Sequence, residues 1–206
     1  MDTILLSTTY FGPISYFAAI AQAKDVIIEA NEHYQKKSYR SRCYIAGPHG
    51  KQMLNIPIDR PSGNTTFIKD VLLGKNQNWQ NQHWNSIITA YNSSPFLLYY
   101  IDEIEAIYRK EYNSLWKLNN ELLLLILELL QIDTPIKFTD NFIKTPMQES
   151  DLRQSISHKH IINNPKYIQV FSDKHNFIED LSILDLLFNL GPEAGYYLSN
   201  IDLSEI

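Results

Sequence analysis

At 206 residues, 44% hydrophobic and 20% charged, the chain is long enough to bury a sizeable core as one domain and short for two. Its formal charge of -5 disfavours nucleic acid as a partner, and its single cysteine, Cys43, excludes an internal disulfide. The most apolar run, Leu122 to Leu130, falls far short of the roughly 20 residues that cross a bilayer, and Met1 to Leu6 lacks the basic start of a secretory signal, so the chain reads as cytoplasmic with no membrane insertion.

In chain order, Thr3 to Ser7 reads as a short buried strand, Gly12-Pro13 as a turn, about Ile14 to Ala23 as a helix and Asp25 to Ala30 as a second strand. That order predicts a βαβ unit with parallel strands, which places the loop after the first strand where ligands commonly bind. Arg40 to Ala46 and Gln52 to Ile58 flank Gly47-Pro48-His49-Gly50, a pattern that predicts a hairpin, and Thr66 to Leu73 is expected as a further strand. Trp84, Ile87, Ile88 and Tyr91 recur at helical spacing until Asn92-Ser93-Ser94-Pro95 interrupts them and starts the next helix. From about Asn113 to Leu130 leucine occupies almost every face, which predicts a central helix covered on both sides. Thr134-Pro135 stops it, and Ile136 to Phe138 suits a short strand. Thr145 to Asn164 is polar and aperiodic, a candidate mobile loop. Ser182 is placed to cap a helix over Ile183 to Leu190 that Gly191-Pro192 ends. The fold class is α/β, one domain with a mixed, mainly N-terminal sheet, a βαβ start and several covering helices.

Cations and aromatics crowd together between Tyr10 and Arg42 against the acidic background, which favours a small anionic ligand. If Tyr34 to Arg42 is extended, Lys36, Ser38, Arg40 and Arg42 share one face and Lys37, Tyr39 and Cys43 the other. Arginine can fork onto a phosphate or carboxylate, lysine adds a point charge, and Ser38 and Tyr39 add neutral donors. The plain alternative is an edge strand protected by its charges. In the first loop, Gly12 permits close backbone approach while Tyr10 and Tyr16 offer aromatic faces to a sugar or base, or else pack beneath the first helix. His33 and His83 stand nearest these motifs and are the candidate general bases, against the commoner role of a hydrogen-bonded structural histidine. His158 and His160 offer two metal ligands, but no cysteine or carboxylate cluster completes a set, so no metal is assigned; no cofactor is specified either. Arg153, His158 and Lys159 would add positive charge to a site closed by the 145–164 segment.

The strings TTYFGPISYFAAIAQA, HYQKKSYRSRCYIAG, NWQNQHWNSIITAYNSSPF and LSILDLLFNLGPE resemble segments that occur in this order in the WbqC-like family of bacterial proteins. The resemblance spans nearly the whole chain and brings no catalytic motif. It implies a role in surface-polysaccharide biosynthesis of the O-antigen type, with attachment of an acyl or aminoacyl group to the amino sugar of a nucleotide sugar as the reaction. Leu6 to Pro13 followed by a helix also invites comparison with the nucleotidyltransferase and class I synthetase fold, although the paired histidines of that signature are missing. Three readings therefore stand together: a transferase acting on a nucleotide sugar, a noncatalytic binding or assembly protein of a biosynthetic complex, and a nucleotide-dependent synthetase.

Overall fold

The computed structural model describes residues 2–74, 78–146 and 149–206. Strand β1 (Thr3–Ser7) is almost wholly buried, as its unbroken apolar run requires, and it pairs in parallel with β2 (Asp25–Glu29) through α1 (Ile14–Gln22). The register sets Ile4 beside Val26 and Leu6 beside Ile28. The chain continues through the hairpin β3 (Arg42–Gly47) and β4 (Gly50–Asn55), the short β5 (Ile58–Asp59) and β6 (Leu72–Leu73), then α2 (Trp79–Tyr91), α3 (Leu97–Arg109) and α4 (Leu115–Leu129). Strands β7 (Ile136–Phe138) and β8 (Ser150–Asp151) return to the first sheet, and α5 (Ser172–His175), α6 (Ile183–Leu190) and α7 (Ala194–Ser199) close the chain.

The main sheet has the order β7-β2-β1-β8 and is parallel throughout, while β3–β4 and β5–β6 form two small antiparallel sheets of their own. The fold is thus mixed α/β, and α1 packs on α6 and α7. Ser182 caps α6 as its sequence indicates, accepting from the Leu184 N–H, and it also donates to the Phe11 carbonyl at 3.0 Å. Gly191 ends α6 with φ of 54°, a conformation that glycine adopts without a Cβ penalty.

Several expectations are corrected. Tyr34 to Ser41 is not extended: the segment turns repeatedly, Lys37 has φ of 57°, and the strand begins only at Arg42. The alternation of Lys36, Ser38, Arg40 and Arg42 along one face therefore does not exist. Local bonds close the loop instead, from the Tyr34 hydroxyl to Ser41 Oγ at 2.7 Å and from Ser38 Oγ to the Gln35 carbonyl at 2.7 Å. Thr66 to Leu73 contributes only the two residues of β6, since Ile68–Asp70 winds as a 3-10 turn. Helix α4 has a solvent face, with Leu124 55% exposed opposite a buried side that includes Leu123, Ile126 and Leu127. Within 145–164, where residues 147 and 148 lie outside the described residues, Leu152 and Ile162 are buried and tie the segment to the core. Among the described residues, no helix is long and apolar enough to cross a membrane.

Candidate functional site

Strand β1 lies between β2 and β8, and its carboxyl end, the turning loop after β2 and the segment after β8 meet at one crevice. A cleft of about 390 Å³ occupies this position. Ser7, Thr8 and Thr9 line it from the end of β1, Lys36, Lys37, Ser38, Tyr39 and Arg40 from the turning loop, and Arg153, His158, Lys159 and His160 from the segment after β8. Two basic stretches more than a hundred residues apart in sequence thus face one space.

Two ion pairs frame it, one buried and one with its carboxylate at the surface. Arg40 grips Glu32 through both Nε and Nη2, and Nη2 also donates to Ser7 Oγ at 2.6 Å, tying the loop to the end of β1. Ser7 Oγ in turn donates to Glu32 at 3.2 Å. The backbone holds the loop as well, since the Tyr10 N–H donates to the Tyr39 carbonyl and Asn119 from α4 donates to that of Arg40. On the other wall, Arg153 meets Asp151 at 2.9 and 2.6 Å and donates to the Ile143 carbonyl at 2.8 Å, with Glu29 at 3.4 Å behind it. Arg153 holds the Asp151 carboxyl below its usual range. Glu29, at the end of β2, is fully buried and accepts from the Asn31 and Ile143 N–H groups and the Thr139 hydroxyl. These pairs fix both guanidinium groups, which matters because a pre-set donor loses little freedom when an anion arrives.

Of the residues singled out in the sequence, Tyr16, Lys36, Ser38, Tyr39 and Arg40 line the cleft. Tyr16 is buried, with its hydroxyl donating to the Ser7 carbonyl at 3.0 Å. Tyr10 lies elsewhere, sealed in an aromatic cluster with Trp79 and Tyr108, where its hydroxyl bonds His83 Nδ1 at 2.8 Å and the Tyr108 hydroxyl. Burial pushes the His83 pKa down to about 4. Gly12 is a packing position: a Cβ there would stand 2.6 Å from Thr9 Oγ1, and its carbonyl accepts from the Ile183 N–H at the start of α6. Arg42 opens β3 outside the cleft lining. His33 is exposed against the Phe67 ring, 4.7 Å between centroids, and faces a neighbouring cleft of about 380 Å³ that shares Gln35, Arg153 and Gln154 with the first.

Sequence reasoning missed Ser7, Glu29 and Glu32. The signal available was the acidic string Glu29-Ala30-Asn31-Glu32 directly at the end of a strand in a βαβ unit, where side chains point into the crevice. Among the described residues, no group of three or more histidines, cysteines and carboxylates is disposed to hold a metal.

The fold and the cleft define an α/β protein with a basic pocket at the carboxyl ends of its parallel strands. The model of the WbqC-like protein family matches residues 8–162, and the chain belongs to that family. It is also 25% identical over 222 residues to a protein of Mycobacterium tuberculosis (strain ATCC 25618 / H37Rv) described as "Uncharacterized protein Rv1507c", a match that covers 94% of this chain and 96% of that one. No solved structure matches the chain.

Proposed function

We propose that the cleft binds the phosphate of a nucleotide sugar and that the protein transfers an acyl or aminoacyl group from an activated acyl donor to the sugar's amine in surface-polysaccharide biosynthesis, the donor's carrier leaving as the amide bond forms. The observation that carries the binding half is the convergence of Lys36, Lys37 and Lys159, which make no ion pair among the described residues, with the ion-paired Arg40 and Arg153 on one crevice at the ends of β1 and β8. A small anion suits this space because the cations are concentrated in a chain whose net charge is negative, so the attraction is local. The transfer half rests on family membership, and the neighbouring cleft supports it by offering room for a second reactant across Arg153 and Gln154. In this reading His33, which faces that second cleft, takes the amine's proton, and buried His83 acts only on stability. Exposed Leu98 and Tyr99 on α3, at 83% and 73%, favour a second reading in which the protein docks within a biosynthetic assembly.

The test is a thermal-shift series of nucleotide sugars with amino and non-amino sugars, because a ligand that binds only the folded form raises the melting temperature. A rise with nucleotide sugars that is lost in Lys36→Ala supports the reading. Melting temperatures unmoved by any phosphorylated sugar sink it. Turnover that survives in His33→Ala removes the role given to that side chain.

A further inference from the structure

The cleft holds more unpaired donors and more cations than one phosphate group uses. Tyr39 is only 4% exposed and lines the cleft, yet its hydroxyl has no hydrogen-bond partner among the described residues. His158 lines the same cleft with a buried Nδ1 that is likewise unpartnered. A buried polar atom left without a partner is destabilising, and such atoms in a folded protein usually await a ligand or a water. Water alone does not account for the charge. Burial lowers the His158 pKa, and the positive charges of Arg42, Lys159, Lys51 and Lys37 lower it further; of these, Lys37 and Lys159 line the cleft beside it. None of the four is ion-paired with a carboxylate among the described residues. Asp180, whose charge reaches Tyr39 and Lys51, has its oxygens occupied by the Ser15 N–H at 2.8 Å and the Ser15 hydroxyl at 3.0 Å.

We infer that the cleft has two anion poles, one at Lys36 and Arg40 and a second at Tyr39 and His158, and that its ligand carries two phosphoryl groups in a diphosphate linkage. The inference rests on the phosphate-binding reading given above and narrows it. A single phosphate at the Arg40 pole leaves the Tyr39 hydroxyl and His158 Nδ1 buried and idle. A second phosphoryl group supplies acceptor oxygens to both, and its charge is balanced by Lys37 and Lys159, which line the cleft. The donors at the second pole come from the turning loop and from the segment after β8, so a diphosphate joins the two walls.

Isothermal titration with inorganic pyrophosphate and with inorganic phosphate, at constant ionic strength, tests this on the whole chain. Tyr39→Phe keeps the edge-on packing against Tyr44 and removes only the unpartnered hydroxyl, so its melting temperature is expected to match or exceed the parent's. Tyr39→Phe and His158→Gln are each expected to weaken pyrophosphate about tenfold while phosphate changes by less than about twofold. If both probes weaken equally, or neither does, the second pole is overturned while phosphate binding stands. If the unaltered protein binds neither probe, the phosphate reading of the cleft falls and this inference with it.

Discussion

Arg40 and Glu32 form a two-pronged ion pair, Nε to Oε1 at 2.7 Å and Nη2 to Oε2 at 2.5 Å, with side chains only 5% and 6% exposed. The pair converts a loop that could have been a charged edge strand into one wall of the cleft. The partners stand eight positions apart, and the turn between them presents Lys36 and Lys37 to solvent.

Removing one member of this pair leaves the other charge buried without its counterion. Glu32→Ala is therefore expected to lower the unfolding free energy by about 3–5 kcal/mol, measured by urea denaturation. Lys36→Ala, at an exposed position, is expected to change stability by less than about 0.5 kcal/mol. A loss below about 1 kcal/mol in Glu32→Ala would mean that water reaches the pair and that Arg40 is not fixed.

His83 makes stability fall on acidification. In the unfolded chain it takes up a proton near pH 6.5, whereas in the folded protein burial delays protonation to about pH 4. Between those values the unfolded state holds more protons, so stability drops as pH falls, by about 1.4 kcal/mol per unit and roughly 3 kcal/mol in all. The difference between the parent and His83→Gln, followed by urea titrations from pH 7 to pH 4, isolates this slope. Parallel curves for the two proteins would show that the imidazole is protonated in place.

Asp185 acts in the opposite sense. Its burial in α6 raises the carboxyl to about 6, even though the Tyr167 hydroxyl at 2.5 Å and the Gln169 amide at 2.9 Å favour the charged form. Here the folded state holds the extra proton, so its stabilisation is present below the unfolded value near 3.9 and is lost as pH rises through about 6. Asp185→Asn is expected to remove that loss of roughly 3 kcal/mol, so that its unfolding midpoint gains on the parent's between pH 4 and pH 7. A variant that trails the parent equally at both values would show that the carboxylate is not strained by burial.

Leu127 packs on the buried side of α4 with 5% exposure. Leu127→Ala is expected to destabilise the protein by about 2–5 kcal/mol, whereas Leu124→Ala on the solvent face is expected to stay within about 1 kcal/mol. Equal melting temperatures for the two variants would contradict the face assignment.

The sequence by itself determined the βαβ start, the hairpin around Gly47-Pro48-His49-Gly50 and helices α2, α4 and α6, because each is written in local periodicity and turn chemistry. It also held the positive charge of the Lys36 to Arg42 region and the family resemblance. It misjudged the conformation of that region because strand alternation and a turning loop carry the same composition, and contacts such as those of Arg40 with Glu32 and Asn119 with the Arg40 carbonyl separate them. The cleft itself was decided by tertiary structure. Pairing of Ile4 with Ser150 sets β8 beside β1, and that one register carries Arg153, His158 and Lys159 to Lys36 and Arg40. Sheet order is fixed by burial across the whole core, so no local pattern along the chain announces which distant residues will meet at the ends of its strands.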